Sequence, residues 1–168
     1  MTDVPEQLAR QFEQLEPAML DWAAMITRDD GLAEEAVQEA FLRAIRAAAR
    51  FDGRSSLKTW LLKITRNCCY NLLKRRRRQR GVEADLDGQA GEPDPPERSA
   101  QTHDELTRLR RLIDALPDAQ REVFVLRHVH DAPYEQIAAI VGVPMGTVKS
   151  RLHHAVAALR AAMLENES

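Results

Sequence analysis

Residues 133–152, PYEQIAAIVGVPMGTVKSRL, constrain the fold of this chain more than any other segment, because their small and apolar residues have helix-turn-helix spacing. Ala138 is small where two helices must cross closely. Gly142, four residues later, can adopt the left-handed conformation that ends a helix. Pro144 suits the first turn of the next helix, since a proline there loses no hydrogen bond. The segment therefore predicts two helices joined by a tight turn.

The second of these helices has an apolar face and a polar face. Its apolar residues are spaced three and four apart, as a buried stripe requires, and are Val148, Leu152, Ala155 and Leu159. Two i,i+4 pairs point away from that stripe, namely Lys149 with His153 and Ser150 with His154. Such a face can contact phosphates and base edges in the major groove of DNA, whereas the alternative is an ordinary helical hairpin with a solvated face. We favour DNA binding, because small residues and proline at fixed offsets are followed by Lys-Ser-Arg.

Helical periodicity extends over nearly the whole chain, and no alternating β-branched strand is visible, so the sequence predicts an all-α protein. A first helix or helix pair is expected within residues 8–26, and a second helix within residues 33–45. Helices are expected again from residue 106 onward, with a break at Pro117.

A third helix is expected after the turn-forming residues 51–53, with Ser55 or Ser56 as its N-terminal cap. Its predicted inner stripe contains Leu57, Trp60, Leu61, Ile64, Cys68 and Leu72. Trp60 lies on this stripe, so we favour core packing over base stacking for its indole ring.

Charge is distributed unevenly along the chain, although the formal net charge of its 168 residues is only −2. Residues 51–80 carry ten basic residues and one acidic residue, whereas residues 81–105 carry one basic and eight acidic residues. Opposite charges of this size indicate two different partners or surfaces. We predict two small helical domains, residues 1–80 and 105–168, joined by an acidic flexible linker, residues 81–104.

The chain lacks the residue patterns of metal, cofactor and catalytic sites. Cys68 and Cys69 are adjacent, which suits neither a disulfide framework nor a zinc site, so we expect them to pack as small apolar residues. Two pairs of histidines are close in sequence, His128 with His130 and His153 with His154. The two members of each pair point to different sides of a helix, and no cysteine or carboxylate completes either set of metal ligands. No nucleophile elbow, phosphate-binding glycine loop or paired-carboxylate motif is present. We therefore expect no metal, no cofactor and no enzymatic activity.

The sequence also indicates a compartment. No apolar run approaches the roughly 18 residues of a membrane span. The N-terminus does not have the basic-then-apolar order of a signal peptide. The protein is therefore expected to be cytoplasmic, without direct membrane insertion.

Three stretches, in this order along the chain, carry a family resemblance. They are AEEAVQEAFLRAIRA (Ala33 to Ala47), SSLKTWLLKITRN (Ser55 to Asn67) and LPDAQREVFVLRHVHDAPYEQIAAIVGVPMGTVKSRLH (Leu116 to His153). Together they resemble the extracytoplasmic-function (ECF) group of sigma-70 family RNA polymerase sigma factors. The resemblance implies a sigma-2-like bundle of three or four helices and a sigma-4-like helix-turn-helix domain. It also implies an alternative sigma factor that binds core RNA polymerase and directs promoter-specific initiation.

The resemblance implies two binding faces in the first domain. The matching second helix docks on the clamp helices of the β′ subunit, and its exposed polar positions here are Glu34, Glu35, Gln38, Glu39 and Arg43. The matching third helix and the loop before it hold the minus-ten promoter element as a single strand, with contacts assigned to Ser55, Ser56, Lys58, Lys63, Arg66, Asn67, Asn71 and Arg75. Physical chemistry agrees, because a basic groove can follow the phosphates of a displaced strand and asparagines can pair with an unstacked base edge.

The resemblance implies that the second domain binds the minus-thirty-five element as duplex and contacts the polymerase β flap. The matching DNA-reading residues are Thr147, Lys149, Ser150, Arg151, His153 and His154. Arg121 and Arg127 are expected to act as phosphate or support contacts.

The chain departs from the family pattern at four positions. His154 and Val156 stand where relatives commonly have arginine, and Asn71 stands where an aspartate is common. Pro133 replaces a common N-capping serine, so Asp131 is an alternative cap for the next helix. These changes put the promoter sequence in doubt rather than the class of protein.

An anti-sigma factor is a further partner that the resemblance implies. A stand-alone helix-turn-helix regulator and an interaction protein that does not bind DNA are the alternatives to a sigma factor. Binding to core RNA polymerase before DNA would distinguish a sigma factor from both.

Overall fold

A computed structural model of the chain describes residues 4–81 and 102–165. Helices account for nearly all of these residues, and the described parts contain no strand. The described residues contain seven α-helices, namely α1 (Val4–Thr27), α2 (Asp30–Ala47), α3 (Leu57–Gln79), α4 (Thr102–Asp114), α5 (Asp118–His128), α6 (Tyr134–Val141) and α7 (Met145–Glu165). They form two compact units, with α1 to α3 in the first and α4 to α7 in the second. The all-α prediction and the prediction of two helical domains in sequence are confirmed.

In the first unit, each of the three helices packs against the other two. The side of α2 that faces the core is made mostly of alanines, with Val37 among them, so the neighbouring helices can approach closely. Trp22 of α1 is fully buried, and its Nε1 donates a hydrogen bond to the Leu62 carbonyl of α3 at 3.2 Å. The expected first helix or helix pair is a single helix that continues through Pro17.

The start of α2 is tied to the end of α3. Asp29 caps α2, because its carboxylate accepts a hydrogen bond from the Leu32 N–H at 2.9 Å. The other carboxylate oxygen of Asp29 lies 2.7 Å from the guanidinium of Arg76 near the end of α3. These interactions lower the pKa of Asp29, with the Leu32 hydrogen bond as the largest cause and Arg76 next.

The buried face of α3 differs from the predicted stripe. Ser56 caps the helix by accepting a hydrogen bond from the Thr59 N–H at 3.1 Å, which confirms one of the two predicted caps. The side chains buried along α3 are Thr59, Leu61, Leu62, Thr65, Cys68, Cys69 and Leu72. Three of the six predicted stripe residues must be corrected in part, because Leu57, Trp60 and Ile64 are only half-buried. Thr65 can occupy the core because its hydroxyl donates to the Leu61 carbonyl at 2.8 Å.

The second unit is built around α7, which packs against α4, α5 and α6. Leu126, Ile137 and Val148 are fully buried in its core, one from each of three helices. A second cluster joins Leu116, Ala155 and Leu159 to the partly buried Leu112, Ile113 and Phe124. The predicted break at Pro117 is confirmed, since α4 ends at Asp114 and α5 begins at Asp118.

Two predicted boundaries need correction. The linker prediction for residues 81–104 falls mostly on residues 82–101, which lie outside the described residues, but α4 already begins at Thr102. Residues 102–104 are therefore helical rather than linker. Asp131 does not cap α6: the cap position is Pro133, no side chain bonds there, and Asp131 adopts a left-handed φ of +53° in the preceding turn.

No helix within residues 4–81 or 102–165 has the length and apolar composition needed to cross a membrane.

Candidate nucleic-acid interface

The turn between α6 and α7 has the geometry that the sequence predicts. Gly142 ends α6 with a φ of +73°, and its N–H donates to the Ala138 carbonyl at 2.9 Å. The Val143 N–H bonds the same carbonyl at 3.3 Å. The N–H groups of Thr147 and Val148 then bond the Pro144 carbonyl, which starts α7. This glycine turn sets the direction in which α7 leaves α6.

One side of α7 is buried and the other is polar and exposed. All four residues of the predicted stripe, Val148, Leu152, Ala155 and Leu159, are buried. The predicted reading residues divide into two groups, with Lys149, Ser150, His153 and His154 exposed and Thr147 and Arg151 half-buried. At 100° per residue, the exposed four share one face near the start of α7 and the half-buried two lie together along one edge of it. The structure thus brings the predicted minus-thirty-five residues together on one helix.

Tyr134 links this face to α5, and the sequence analysis did not assign it a role. The Lys149 Nζ lies 5.9 Å from the centroid of the Tyr134 ring, and the Arg127 Cζ lies 5.0 Å from it. Arg127 also donates to the Ala132 carbonyl at 3.3 Å. Two cations from two helices therefore share one aromatic ring at the start of α6. A tyrosine at the first position of a helix-turn-helix, four residues before Ala138, was the available sequence signal.

Arg121 supports the fold and is not a phosphate contact. Only 3% of its surface is exposed. Its guanidinium donates to the carbonyls of Asp114 and Leu116, both at 3.0 Å, and pairs with the Asp118 carboxylate. These bonds hold the turn between α4 and α5. Of the two roles predicted for this arginine, burial leaves only support.

The polar face of α3 contains half of the predicted minus-ten residues in one row. Lys63, Asn67, Asn71 and Arg75 are four residues apart and all exposed, so they form a ridge along the helix. Ser55, Lys58 and Arg66 are half-buried. The Ser56 hydroxyl is engaged in capping α3 and bonds the Thr59 hydroxyl at 2.9 Å, so its predicted DNA contact competes with the cap. The ridge continues into the basic end of α3, where Arg76 is paired with Asp29.

The predicted docking face of α2 is only partly a row of exposed polar residues. Glu34, Glu35 and Gln38 are exposed, whereas Glu39 and Arg43 are half-buried and form an i,i+4 ion pair. Glu34 and Gln38 line a groove between α1 and α2, together with Phe12, Glu16, Leu20, Val37, Phe41 and Leu42.

Exposed apolar side chains accompany this groove. Leu42 and Ile45 have 52% and 40% of their surfaces exposed. Leu42 follows the core residue Ala40 by two positions and so points away from the core. The α2 surface therefore has exposed apolar side chains as well as charged ones.

Cys68 and Cys69 are buried in the first unit, and the described side chains hold no cluster of metal ligands. Cys68 and Cys69 are fully buried, as predicted, and burial raises the pKa of the Cys68 thiol to about 11. At neutral pH this thiol stays protonated and behaves as a small apolar group. In residues 4–81 and 102–165, no group of three or more histidine, cysteine, aspartate or glutamate side chains could hold a metal ion.

Comparison with known proteins matches both units to one family. Residues 11–79 match the family model of Sigma-70 region 2, and residues 106–159 match that of Sigma-70 region 4. The chain is 36% identical over 139 residues to the probable RNA polymerase sigma-C factor of Mycobacterium bovis, covering 79% of this chain and 71% of that one. It is 34% identical over 145 residues to the ECF RNA polymerase sigma-E factor of Escherichia coli K12, covering 79% and 75%.

A solved structure shares the fold over nearly the full length. It is the sigma factor RpoE from Bartonella quintana, solved in complex with the anti-sigma factor NepR. The two chains superpose with a TM-score of 0.74 at 26% identity, covering 94% of this chain and 97% of that chain. The match to region 2 as well as region 4 disfavours a stand-alone helix-turn-helix regulator, which would account for α5 to α7 alone. The chain belongs to the ECF group of sigma-70 family RNA polymerase sigma factors, and it is an alternative sigma factor that directs transcription initiation.

Proposed function

We propose that the two helical units divide promoter recognition between them, with the exposed face of α7 reading duplex DNA and the ridge of α3 holding a melted strand. The observation that carries this proposal is the placement of Lys149, Ser150, His153 and His154 on one exposed face behind a glycine turn. A helix presented in this way fits the major groove, where its first turns reach base edges. Thr147 and Arg151 lie together along one edge of this face and contact the phosphates on that side.

The ridge of α3 fits a single strand better than a duplex. Its cations, Lys63 and Arg75, lie at the two ends of a row that has Asn67 and Asn71 in the middle. A strand laid along this row meets positive charge for its phosphates and carboxamides for its base edges. Base edges on their Watson–Crick side are accessible only after the duplex has opened. The ridge therefore acts on the minus-ten element during melting.

The groove between α1 and α2 is the docking face for core RNA polymerase in this proposal. Glu34, Glu35 and Gln38 supply polar contacts, and Leu42 adds an apolar one. The Glu39–Arg43 pair fixes the middle of the face. A helix pair such as the β′ clamp helices suits a groove of this kind, because a helix can lay one apolar stripe into it.

Other parts of the proposal rest on the family. The solved relative binds an anti-sigma factor, and we assign a partner of the same kind to this chain. The second unit contacts the polymerase β flap, and residues 81–101 join the two promoter-binding units. The chain has no catalytic activity of its own, since nucleotide addition belongs to the polymerase. The polymerase works in the cytoplasm, so the chain acts there as well. It requires no cofactor.

The test is in vitro transcription with core RNA polymerase, first on a random promoter library to identify a promoter and then with variants. Lys149→Ala should weaken binding to the minus-thirty-five duplex and lower the slope of log K against log salt by roughly one counterion. His154→Ala should change base preference at one position by about 1–3 kcal/mol. Arg160→Ala is the matched control, because it removes an exposed charge from α7 about 16 Å further along the helix.

Docking is tested separately by co-purification with core polymerase. Gln38→Ala combined with Glu39→Lys should lose core polymerase and keep duplex binding. Glu13→Lys adds the same charge to an exposed position of α1 outside the groove and should keep both. Equal co-purification of the double variant and the parent would show that the docking face lies elsewhere. Unchanged promoter binding by Lys149→Ala and His154→Ala at every salt concentration would remove the DNA-reading role of α7.

A further inference from the structure

Tyr70 lies on the exposed side of α3, where neither the sequence analysis nor the assignments above give it a role. The tyrosine has 39% of its surface exposed. The guanidinium carbon of Arg66 lies 4.7 Å from the centroid of the Tyr70 ring, one helical turn earlier. An aromatic ring and a planar cation are thus already in contact on the surface of the basic helix.

The surroundings of Tyr70 are those of the ridge. Asn67 precedes it by three residues and Lys74 follows it by four, so both are its neighbours on the helix surface, and both are exposed. Asn71 is adjacent in sequence and also exposed. A base lying against the Tyr70 ring would have two carboxamides beside its edge and a cation beside its phosphate.

The preceding aromatic residue of α3, nearly three helical turns earlier, is placed differently. Trp60 is half-buried, and its ring packs against Phe51 with the centroids 4.9 Å apart. That contact fixes the loop before α3 to the helix, as core packing requires. Tyr70 has a different environment, since Asn67, Asn71 and Lys74 beside it are polar or charged and exposed.

We propose that Tyr70 and Arg66 form a stacking platform for one unstacked base of the displaced promoter strand, with Asn67 or Asn71 bonding the edge of that base. This inference rests on the proposed role of the α3 ridge in holding a single strand. Every base has a π-face, so the platform holds a base without selecting it, and selection comes from the carboxamides. Bases within a duplex have both faces covered by their neighbours, so the platform favours the melted state.

The experiment uses holoenzyme reconstituted from core RNA polymerase and full-length chain, and core polymerase alone provides the background. The probe is a random single-stranded DNA library of 12 nucleotides, and its affinity is measured for the parent, Tyr70→Phe and Tyr70→Leu. Stacking on an aromatic side chain contributes about 1–3 kcal/mol per base, so Tyr70→Leu should bind roughly 5- to 150-fold more weakly. Tyr70→Phe keeps the ring and should stay close to the parent.

A second probe separates base stacking from backbone contact and from a structural role. Abasic strands of the same length keep the phosphates but have no base faces, so the parent and Tyr70→Leu should bind them equally. A loss of the same size on abasic strands would overturn the platform, because Tyr70 would then act on the backbone. The urea midpoint of Tyr70→Leu, followed by tryptophan fluorescence, and its affinity for core polymerase should match those of the parent.

The two proposals fail in distinguishable ways. A variant with Lys63, Asn67, Asn71 and Arg75 all changed to alanine tests the ridge without touching Tyr70. If this variant loses single-strand binding and Tyr70→Leu does not, the stacking platform is wrong and the ridge stands. If neither loses binding, the proposed role of α3 is wrong as well.

Discussion

Replacing Gly142 by alanine tests whether the turn before α7 is held in the left-handed conformation. Gly142 has a φ of +73°, and a Cβ added there would meet nothing within 4 Å. Steric clash with surrounding atoms therefore contributes nothing, and the cost is that of placing an L-residue in the left-handed region, about 1–2 kcal/mol. With a urea m-value of about 1 kcal/mol per molar for a unit of this size, the unfolding midpoint should fall by about 1–2 M.

Gly146 provides a matched control in the same unit. It lies in the first turn of α7, its φ is not positive, and a Cβ there also meets nothing within 4 Å. Alanine is favoured over glycine inside a helix by up to about 1 kcal/mol, so Gly146→Ala should leave the midpoint unchanged or raise it. The same chemical change is thus expected to destabilise the unit at position 142 but not at position 146.

The assay exploits the positions of the two tryptophans. Trp22 and Trp60 both lie in the first unit, so tryptophan fluorescence reports on that unit, whereas far-UV circular dichroism also detects the helices of the second. Part of the dichroism change comes from the second unit, and tryptophan fluorescence does not detect that part. Gly142→Ala should lower the urea midpoint of this part. Promoter binding should weaken as well, because the glycine turn directs α7. A variant with alanine at 142 that unfolds at the parental urea concentration would refute the reasoning.

Two further predictions concern single contacts. The pKa of Asp29 is lowered in the folded chain from 3.8, so its interactions stabilise the first unit above that pH and the stabilisation is lost as the pH falls through the lower folded value. Asp29→Asn keeps a capping oxygen but loses the charge that pairs with Arg76. In a urea titration monitored by tryptophan fluorescence, this variant should unfold more easily than the parent at pH 7, and the difference in stability should close below about pH 4. A constant difference down to pH 2 would contradict this. Tyr134→Leu should weaken binding to the minus-thirty-five duplex by about 0.5–1 kcal/mol, whereas Tyr134→Phe should bind like the parent. If the ring acts by holding the Lys149 cation, the loss of affinity in Tyr134→Leu should disappear when Lys149 is also changed to alanine.

Much of the second unit could be predicted from local sequence. The turn at Gly142 and the buried stripe of α7 depend on residues at most eleven positions apart, and they fold as their spacing indicates. A glycine that ends a helix and a stripe at spacings of three and four impose their geometry through the backbone alone. The helix ranges, the break at Pro117 and the Ser56 cap follow from the same kind of local rule.

Sequence reasoning failed where the environment of a side chain depends on a distant partner. On α3, Trp60 and Ile64 belong to the apolar pattern and are only half-buried, yet Leu62 and Thr65 occupy the core, because two other helices enclose that side of α3. A threonine whose hydroxyl bonds its own helix can be buried at little cost, and periodicity alone does not reveal this. The direction of the exposed face, and with it the placement of Tyr70, was therefore settled by packing.

The sequence by itself determined the helices, the glycine turn, the polar face of α7 and the family of the protein, since each of these depends on neighbouring residues or on whole motifs. Only the tertiary structure decided which charged side chains remain available to a partner. The guanidinium of Arg121 donates hydrogen bonds to two backbone carbonyls at the turn before α5. Arg76 pairs with Asp29, which lies 47 residues away in the chain. Arg127 and Lys149 meet at one tyrosine ring because α5, α6 and α7 pack together. Charge is written in the sequence, but its accessibility depends on which atoms the fold brings within hydrogen-bonding distance.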